Sequence, residues 1–391
     1  MKVFVLLFAL LSATVQEDVD SVVICGVGDD NIEGFREALY DFNMKLYKKL
    51  AEHTHGHFVI SAPPLWQSLA AIAESMDGVA RQELLQLLGL PEDECTRQTY
   101  YQLASSRETF GLDVTMQRKH VFFIDEGLNM NTEWVNLAST QFNLHTIPVP
   151  IKRAPKDVAY LIRHIISSQL APLNLQGNSL LADEIDYNGL WSEAFPEADI
   201  IRSPFYDHEG NQIGSVDLMR IKRRVRMVFV EQINARVVEI PVGVDGRYRM
   251  LFGIPVEGHD MRKSIEKVTA TVMFEMVAGL KESEVPIDVA IPRFVTTTES
   301  DVRAVLEQVG LKSLWTDASA TRNISQPAVM PSGFVQRAEI TLDSHGIDSY
   351  NPEFIEFTEY STGLDPKLGH EMIANRPFII EISLSSLGSQ D

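Results

Sequence analysis

The chain of 391 residues predicts an α+β fold in a single domain. Amphipathic helical periodicity is concentrated early and strand-like apolar runs dominate later, which segregates helices from strands instead of alternating them. An apolar fraction of 45% supplies a sizeable core and excludes a disordered chain. No repeat, low-complexity run or linker marks a second domain, and the length suits one large unit.

The elements read in order as follows. Lys2, the apolar run from Val3 to Leu11 and the small-residue exit Ser12-Ala13-Thr14 have the pattern of a secretory leader, too short to span a bilayer. Removing residues 1–16 leaves a mature, extracellular domain over 17–391. Asp30-x-x-Glu33 has capping-box spacing, and Phe35, Leu39, Phe42, Leu46 and Leu50 follow at helical intervals. Ala80, Leu84, Leu87 and Leu88 make a second helix closed by Gly89. Strands are predicted over Val237 to Ile240, Met250 to Ile254 and Val285 to Val289. Ser300 is placed to cap a third helix, with Val302, Val305, Leu306 and Val309 inward and Gly310 as its stop. Cys25 and Cys95 share an oxidising compartment after secretion, and their spacing leaves open whether they pair. Asn323-Ile324-Ser325 is an acceptor sequon in a polar stretch, expected to be exposed and glycosylated.

Composition and motifs exclude several functions. A net charge of −20 repels nucleic acid and anionic membranes. There is no Gly-x-Ser-x-Gly elbow, Walker loop or His-Glu-x-x-His helix, so no enzyme is predicted. His53-Thr54-His55-Gly56-His57 would align three imidazoles on an extended backbone, but no fourth ligand accompanies them. They are read as a polar connection, and no metal or other cofactor is expected. Lys222-Arg223-Arg224, with Arg226 beyond, is read as a solvated strand edge rather than a polyanion site.

Short motifs in a fixed order point further. Ile60-Ser61-Ala62-Pro63-Pro64-Leu65 leads into an apolar helix, and Tyr187-Asn188-Gly189-Leu190-Trp191 precedes Phe195. Val238-Glu239-Ile240-Pro241 is followed by Leu251-Phe252-Gly253-Ile254-Pro255, then by Ile291-Pro292-Arg293-Phe294. Near the end, Gln336 to Gly346 is an alternating strand running into a glycine, and Asn375-Arg376-Pro377-Phe378 enters an apolar strand. Together these resemble the serpin superfamily of serine protease inhibitors. The resemblance implies helices packed on a large central sheet with two further sheets, and an exposed C-terminal reactive loop. It also implies a monomer whose partner is an extracellular serine protease or another protein ligand. The stretch similar to the family's heparin-binding helix, near Thr99 to Glu108, is not basic.

Inhibitory serpins are single-use substrates. The cut loop must enter the main sheet as a central strand before the acyl bond to the protease is hydrolysed. The family writes the hinge of that loop Gly-Thr-Glu-Ala-Ala-Ala-Ala-Thr. Here the matching residues are Gly346-Ile347-Asp348-Ser349-Tyr350-Asn351-Pro352-Glu353. Pro352 lacks the donor a central strand needs, a break worth about 3 kcal/mol or more. One strand parity turns Asn351 and Glu353 inward, the other turns Asp348, Tyr350 and Pro352 inward, and either buries a charge.

Other positions also depart from the family. Its buried shutter-like cluster corresponds here to His57, Ser61, Pro64, Ser332 and Gln336, with His57 for an Asn, Pro64 for a Ser and Gln336 for a His. Ser344 stands where an acidic partner for Arg293 is usual. Members continue past the Phe378 strand with one more buried strand that this sequence does not show, so that strand is expected to lose a partner. The resemblance therefore implies a secreted serpin-fold protein that is non-inhibitory or weakly inhibitory: a binding protein or a cleavable decoy. The alternative is a suicide-substrate inhibitor with its reactive bond between Thr358 and Leu368. Counting from Gly346 favours Tyr360, and counting back from Arg376 favours Pro366, Lys367 and the bond to Leu368. Lys367 would suit a trypsin-like protease.

Overall fold

A computed structural model describes residues 3–7, 28–54, 57–105, 113–167, 175–244, 248–348 and 371–384. Strand β1 (Val3–Leu7) precedes the long helix α1 (Asp29–His53). Phe35, Leu39, Phe42, Leu46 and Leu50 are all buried, as their spacing predicts. The capping box is not formed. The N-cap is Gly28, without a side-chain bond, so Asp30 sits inside the first turn, where its charge favours the positive end of the helix. Strand β2 (Phe58–Ser61) runs directly into α2 (Ala62–Ala73), whose residues are all buried. Pro63 and Pro64 fall in its first turn, where no helical bond is lost. Helix α3 (Gly78–Leu88) ends on left-handed Gly89, φ 62°, and a Cβ there would lie 2.7 Å from that of Ala38.

The chain continues through α4 (Glu94–Ser105), β3 (Val114–Asp125), β4 (Asn129–Met130), α5 (Thr132–Phe142), β5 (Leu144–Val149), α6 (Pro155–Ile165) and β6 (Ser179–Leu190). Strand-rich structure follows, as expected: β7 (Ile200–Tyr206), β8 (Gln212–Arg223), β9 (Arg226–Val230), β10 (Ala235–Val242) and β11 (Tyr248–Pro255). Helices α7 (Met261–Glu266) and α8 (Ala270–Gly279) lead to β12 (Lys281–Glu282), β13 (Ile287–Pro292) and β14 (Phe294–Asp301). Strand β13 starts two residues later than expected and leaves Val285 exposed. Helix α9 (Arg303–Gln308) has Val302 as its N-cap, and the preceding Asp301 accepts from Arg303 N–H through Oδ1 at 3.0 Å. Ser300, the expected cap, remains in β14. Helix α10 (Ser313–Thr316), β15 (Ser325–Gln326), β16 (Pro331–Leu342), β17 (Gly346–Asp348), β18 (Glu371–Ile373) and β19 (Phe378–Leu384) complete the described chain.

Among the described residues the strands form three main sheets and one small pair, β15–β4. The six-stranded sheet has the order β14-β16-β17-β6-β3-β5, the seven-stranded one β12-β9-β10-β11-β19-β1-β2, and the four-stranded one β18-β13-β8-β7. Helices α1 to α5 share one apolar cluster with the inner side of the six-stranded sheet, through Phe122, Leu181 and Phe334. A second cluster joins that sheet's upper half to β10, β11, β13 and β19. On the opposite face, Val158, Ile162 and Ile166 of the α6 region cover Phe123, Leu180, Ala182 and Val335. Strand β19 does not lack a second partner, contrary to expectation. It pairs antiparallel with β11 on one edge and parallel with β1 on the other.

One acid in this core is buried without a full set of partners. Glu381 on β19 is 3% exposed and receives a 3.5 Å bond from Tyr40 Oη on α1. Nearby Arg249 is bound at 3.1 Å by Glu239, which also takes Arg226. Burial raises the Glu381 carboxyl to about 8, with Arg249 and Tyr40 offsetting only part of the shift. The native state therefore keeps a proton that the unfolded chain releases above its ordinary value near 4.5. Stability from this group is full below that value and is lost as pH rises towards 8. Glu381→Gln should match the parent near pH 4 and become progressively more stable than it as pH approaches 8. Parallel melting curves from pH 4 to 9 measure the difference, and a constant offset would contradict the assignment.

Candidate functional site

The site is built where β16 turns back into its own sheet. Asp343 follows β16 and makes the reversal with its side chain, its Oδ1 accepting from His345 N–H at 2.8 Å and Gly346 N–H at 3.0 Å. Trp191, just past β6, holds the turn twice. Its backbone N–H reaches His345 C=O at 2.9 Å and its indole N–H reaches Asp343 C=O at 2.8 Å. Phe195 N–H bonds Ser344 C=O at 2.8 Å, and the Ser344 hydroxyl donates to Glu197. Gly346 then passes so close to β6 that a Cβ would stand 2.2 Å from Gly189 O, so only glycine fits. Gly346–Asp348 thus form a short central strand, pairing Ile347 with Leu342 on one side and with Gly189 on the other. Ile347 is 2% exposed and faces the second apolar cluster.

Below this wedge β16 and β6 pair directly and in parallel, Phe334 to Ala338 against Leu181 to Ile185. Two adjacent rows of polar side chains cross that seam, one on each face. On the α6 side, register aligns Lys119, Glu184, Arg337 and Glu299 across four strands. Lys119 Nζ is 2.5 Å from Glu184, and Arg337 lies 3.7 Å from Glu184, 3.9 Å from Asp186, 3.5 Å from Glu299 and 2.5 Å from Glu339. Burial, then the neighbouring Glu184, raises the Asp186 carboxyl above its usual range. On the α2 side the next row holds His120, Asp183 and Gln336. Ser68 Oγ donates to Asp183 Oδ1 at 3.3 Å, and His120 Nδ1 stands 3.8 Å from the same oxygen. Burial pushes Asp183 well up, and burial with Arg118 and His145 pushes His120 down to about 3. At neutral pH His120 is therefore uncharged, so this contact is not a salt bridge, and burial favours the protonated form of Asp183.

The expected shutter-like cluster is only partly assembled. Gln336 and Ser61 bond reciprocally, Ser61 N–H to Oε1 at 3.0 Å and Nε2 to Ser61 O at 2.7 Å. Ser332 instead accepts from Gly177 N–H at 2.9 Å, Pro64 is buried in α2, and His57 is exposed. Asp183, His120 and Ser68, which no sequence motif marks, hold the polar centre beneath the seam. Their signal was present in Ala182-Asp183-Glu184-Ile185-Asp186, three acids inside a strand otherwise written for burial. Arg293, whose usual partner position is Ser344, takes Asp217 of β8 at 3.1 Å instead.

Other expected positions are dispersed. His53 bonds Gln308 at 2.9 Å, and among the described residues no group of three or more His, Cys, Asp or Glu could hold a metal. Arg223 pairs with Glu193 and Arg226 with Glu239 along the β8–β9 edge. Asn323 is exposed, its Nδ2 donating to Asp77 at 2.8 Å. Cys95 is disulfide-bonded. Cys25 lies outside the described residues, as do Ser349, Tyr350, Asn351, Pro352 and Glu353 of the hinge and the candidate bond positions Tyr360, Pro366, Lys367 and Leu368.

Comparison with known proteins accords with this architecture. The family model described as "Serpin (serine protease inhibitor)" matches residues 37–388. Serine protease inhibitor 2 of Anopheles gambiae is 22% identical over 89% of this chain and 88% of its own length. Human corticosteroid-binding globulin is 24% identical over 89% of the chain and 86% of its own. The crystal structure of Serpin48 from the insect Tenebrio molitor superposes with a TM-score of 0.76 at 17% identity, over 92% of this chain and 96% of that one. With the short strand β17 wedged above a closed central seam, and a family match spanning nearly all of the described fold, the chain belongs to the serpin superfamily.

Proposed function

We propose that this chain is an extracellular serpin that does not complete loop insertion and acts as a binding protein or a cleavable protease decoy. The leader-like N-terminus supports secretion, with Asn323 as the glycosylation site. No described helix is long and apolar enough to cross a membrane. Relatives named as protease inhibitors and as a corticosteroid-binding globulin leave room for both kinds of role.

The carrying observation is the register of β17. Ile347 faces the core, so a strand continued from it would turn Ser349, Asn351 and Glu353 inward as well. Extended residue by residue along β16 and β6, the same register brings Pro352 level with Arg337 and Glu184. Glu353 arrives level with Gln336 and Asp183. A residue without an N–H would therefore have to part the ion-paired row, at about 3 kcal/mol or more. A carboxylate would enter the buried row beside another carboxyl, which costs several kcal/mol. Hydrolysis of the acyl bond then outruns insertion.

The second reading, a suicide-substrate inhibitor cut between Thr358 and Leu368, draws support from the three hinge residues already inside the sheet. Incubation with trypsin-, chymotrypsin- and elastase-like proteases separates the two. The expected product is cleaved loop without any complex that survives SDS, and a stable high-mass band would establish inhibition. Nicking the loop should leave the melting temperature within a few degrees, a change of about 1 kcal/mol or less. The double variant Pro352→Ala, Glu353→Ala removes both obstacles, and nicking it should raise the melting temperature well beyond the parent's shift. Equal shifts in parent and variant would show that these two residues do not govern insertion.

A further inference from the structure

Strand β1 lies between β19 and β2 and runs parallel to both. Val3 to Leu7 stand opposite Phe378 to Ile382, and Phe4 to Leu7 opposite Phe58 to Ser61. Backbone accounting on β2 shows what that position demands. Successive residues of a strand present their N–H and C=O to opposite edges. Val59 N–H donates to Thr298 Oγ1 at 2.8 Å, and both backbone groups of Ser61 bond the Gln336 amide. Those two residues are thus served from the β14–β16 side. Phe58 and Ile60, each 1% exposed, turn their groups to the other edge, where β1 lies. Strand β19 has the same need, because β11 serves one edge while Phe378, Ile380 and Ile382 are buried. Buried backbone groups left without partners cost as much as lost hydrogen bonds, so this groove requires a strand.

The chemistry of the occupant follows. A central strand with parallel neighbours and two covered faces is written as a continuous apolar run rich in β-branched and aromatic residues. Val3-Phe4-Val5-Leu6-Leu7 is such a run. A secretory leader needs the same composition, so one segment can satisfy both demands. We propose that the groove between β19 and β2 is a strand-binding site, and that the chain's own Val3–Leu7 segment remains in it in the folded protein. The proposal is independent of what the reactive loop does.

Native and denaturing mass spectrometry of the full chain secreted from eukaryotic cells provides the first test. Residues 3–7 should be found with the folded protein, either in the chain or as a co-purifying peptide. A folded product beginning after Ala13 with no such peptide would overturn the proposal. The second test uses full-length chain made in a host that leaves the N-terminus in place. Val5→Pro removes a donor from the middle of β1, whereas Val5→Ala keeps it. The proline variant should melt at least about 5 °C below the alanine variant or fail to fold, the alanine variant carrying only the loss of two methyl groups. Adding a synthetic peptide of residues 1–10 should restore a folded proline variant. A proline variant that melts with the alanine variant would refute the strand's role.

Discussion

The parallel pairing of β6 with β16 is the constraint around which the rest of this molecule is arranged. The pairing holds two halves of the large sheet together, and its upper end is kept apart by the three residues of β17. The helical layer braces it from one side, through the Gln336–Ser61 bonds and the Ser68–Asp183 bond. From the other side α6 covers Leu180, Ala182 and Val335. Any strand entering between β6 and β16 must exchange these contacts for its own. Neighbouring strands are about 4.8 Å apart, so one inserted strand would roughly double the distance from Arg337 to Glu184. On the proposed reading, loop insertion would be opposed as much by what already crosses the seam as by the loop's own residues.

The same reasoning explains why neutral and charged rows lie on opposite faces. Asp183 and His120 are enclosed, and burial favours the uncharged form of each, which avoids the large cost of an isolated buried ion. Glu184 is just as buried but keeps Lys119 and Arg337 as partners, and Lys119 reaches solvent with 45% of its side chain exposed. Alternation along β6 thus separates two electrostatic solutions by a single residue.

Much of the fold was legible because it depends on local period and punctuation. The α1 stripe from Phe35 to Leu50, the Gly89 stop and the paired β10 and β11 runs all stand where the sequence puts them. Helix starts are less legible: Ser300 and Asp301 both suit a cap and both end up in β14, and it is Asp301 whose side chain reaches the Arg303 N–H. The two hinge parities could not be separated in sequence, because the first buried residue depends on where the turn at Asp343 ends. Ile347 fixes that point. The polar rows were missed because they are defined by cross-strand register, which brings together residues as distant as Lys119, Glu184 and Arg337. His57 matches the cluster by motif position alone, and it lies exposed just before β2.

Trp191 gives the hinge an optical consequence. The chain has four tryptophans, and the indole N–H groups of Trp66, Trp134 and Trp315 bond carbonyls within the helical layer. Trp191 alone among them donates to the hinge turn, through Asp343 C=O, while its own backbone N–H holds His345. It is 4% exposed and stacks edge-on against Phe195 at 5.8 Å. Departure of the hinge from the sheet would strip the indole of its acceptor and admit water to its ring, whereas the other three would keep their surroundings. With those three replaced by phenylalanine, the emission of this one side chain would follow hinge release in real time, with no label added to the loop.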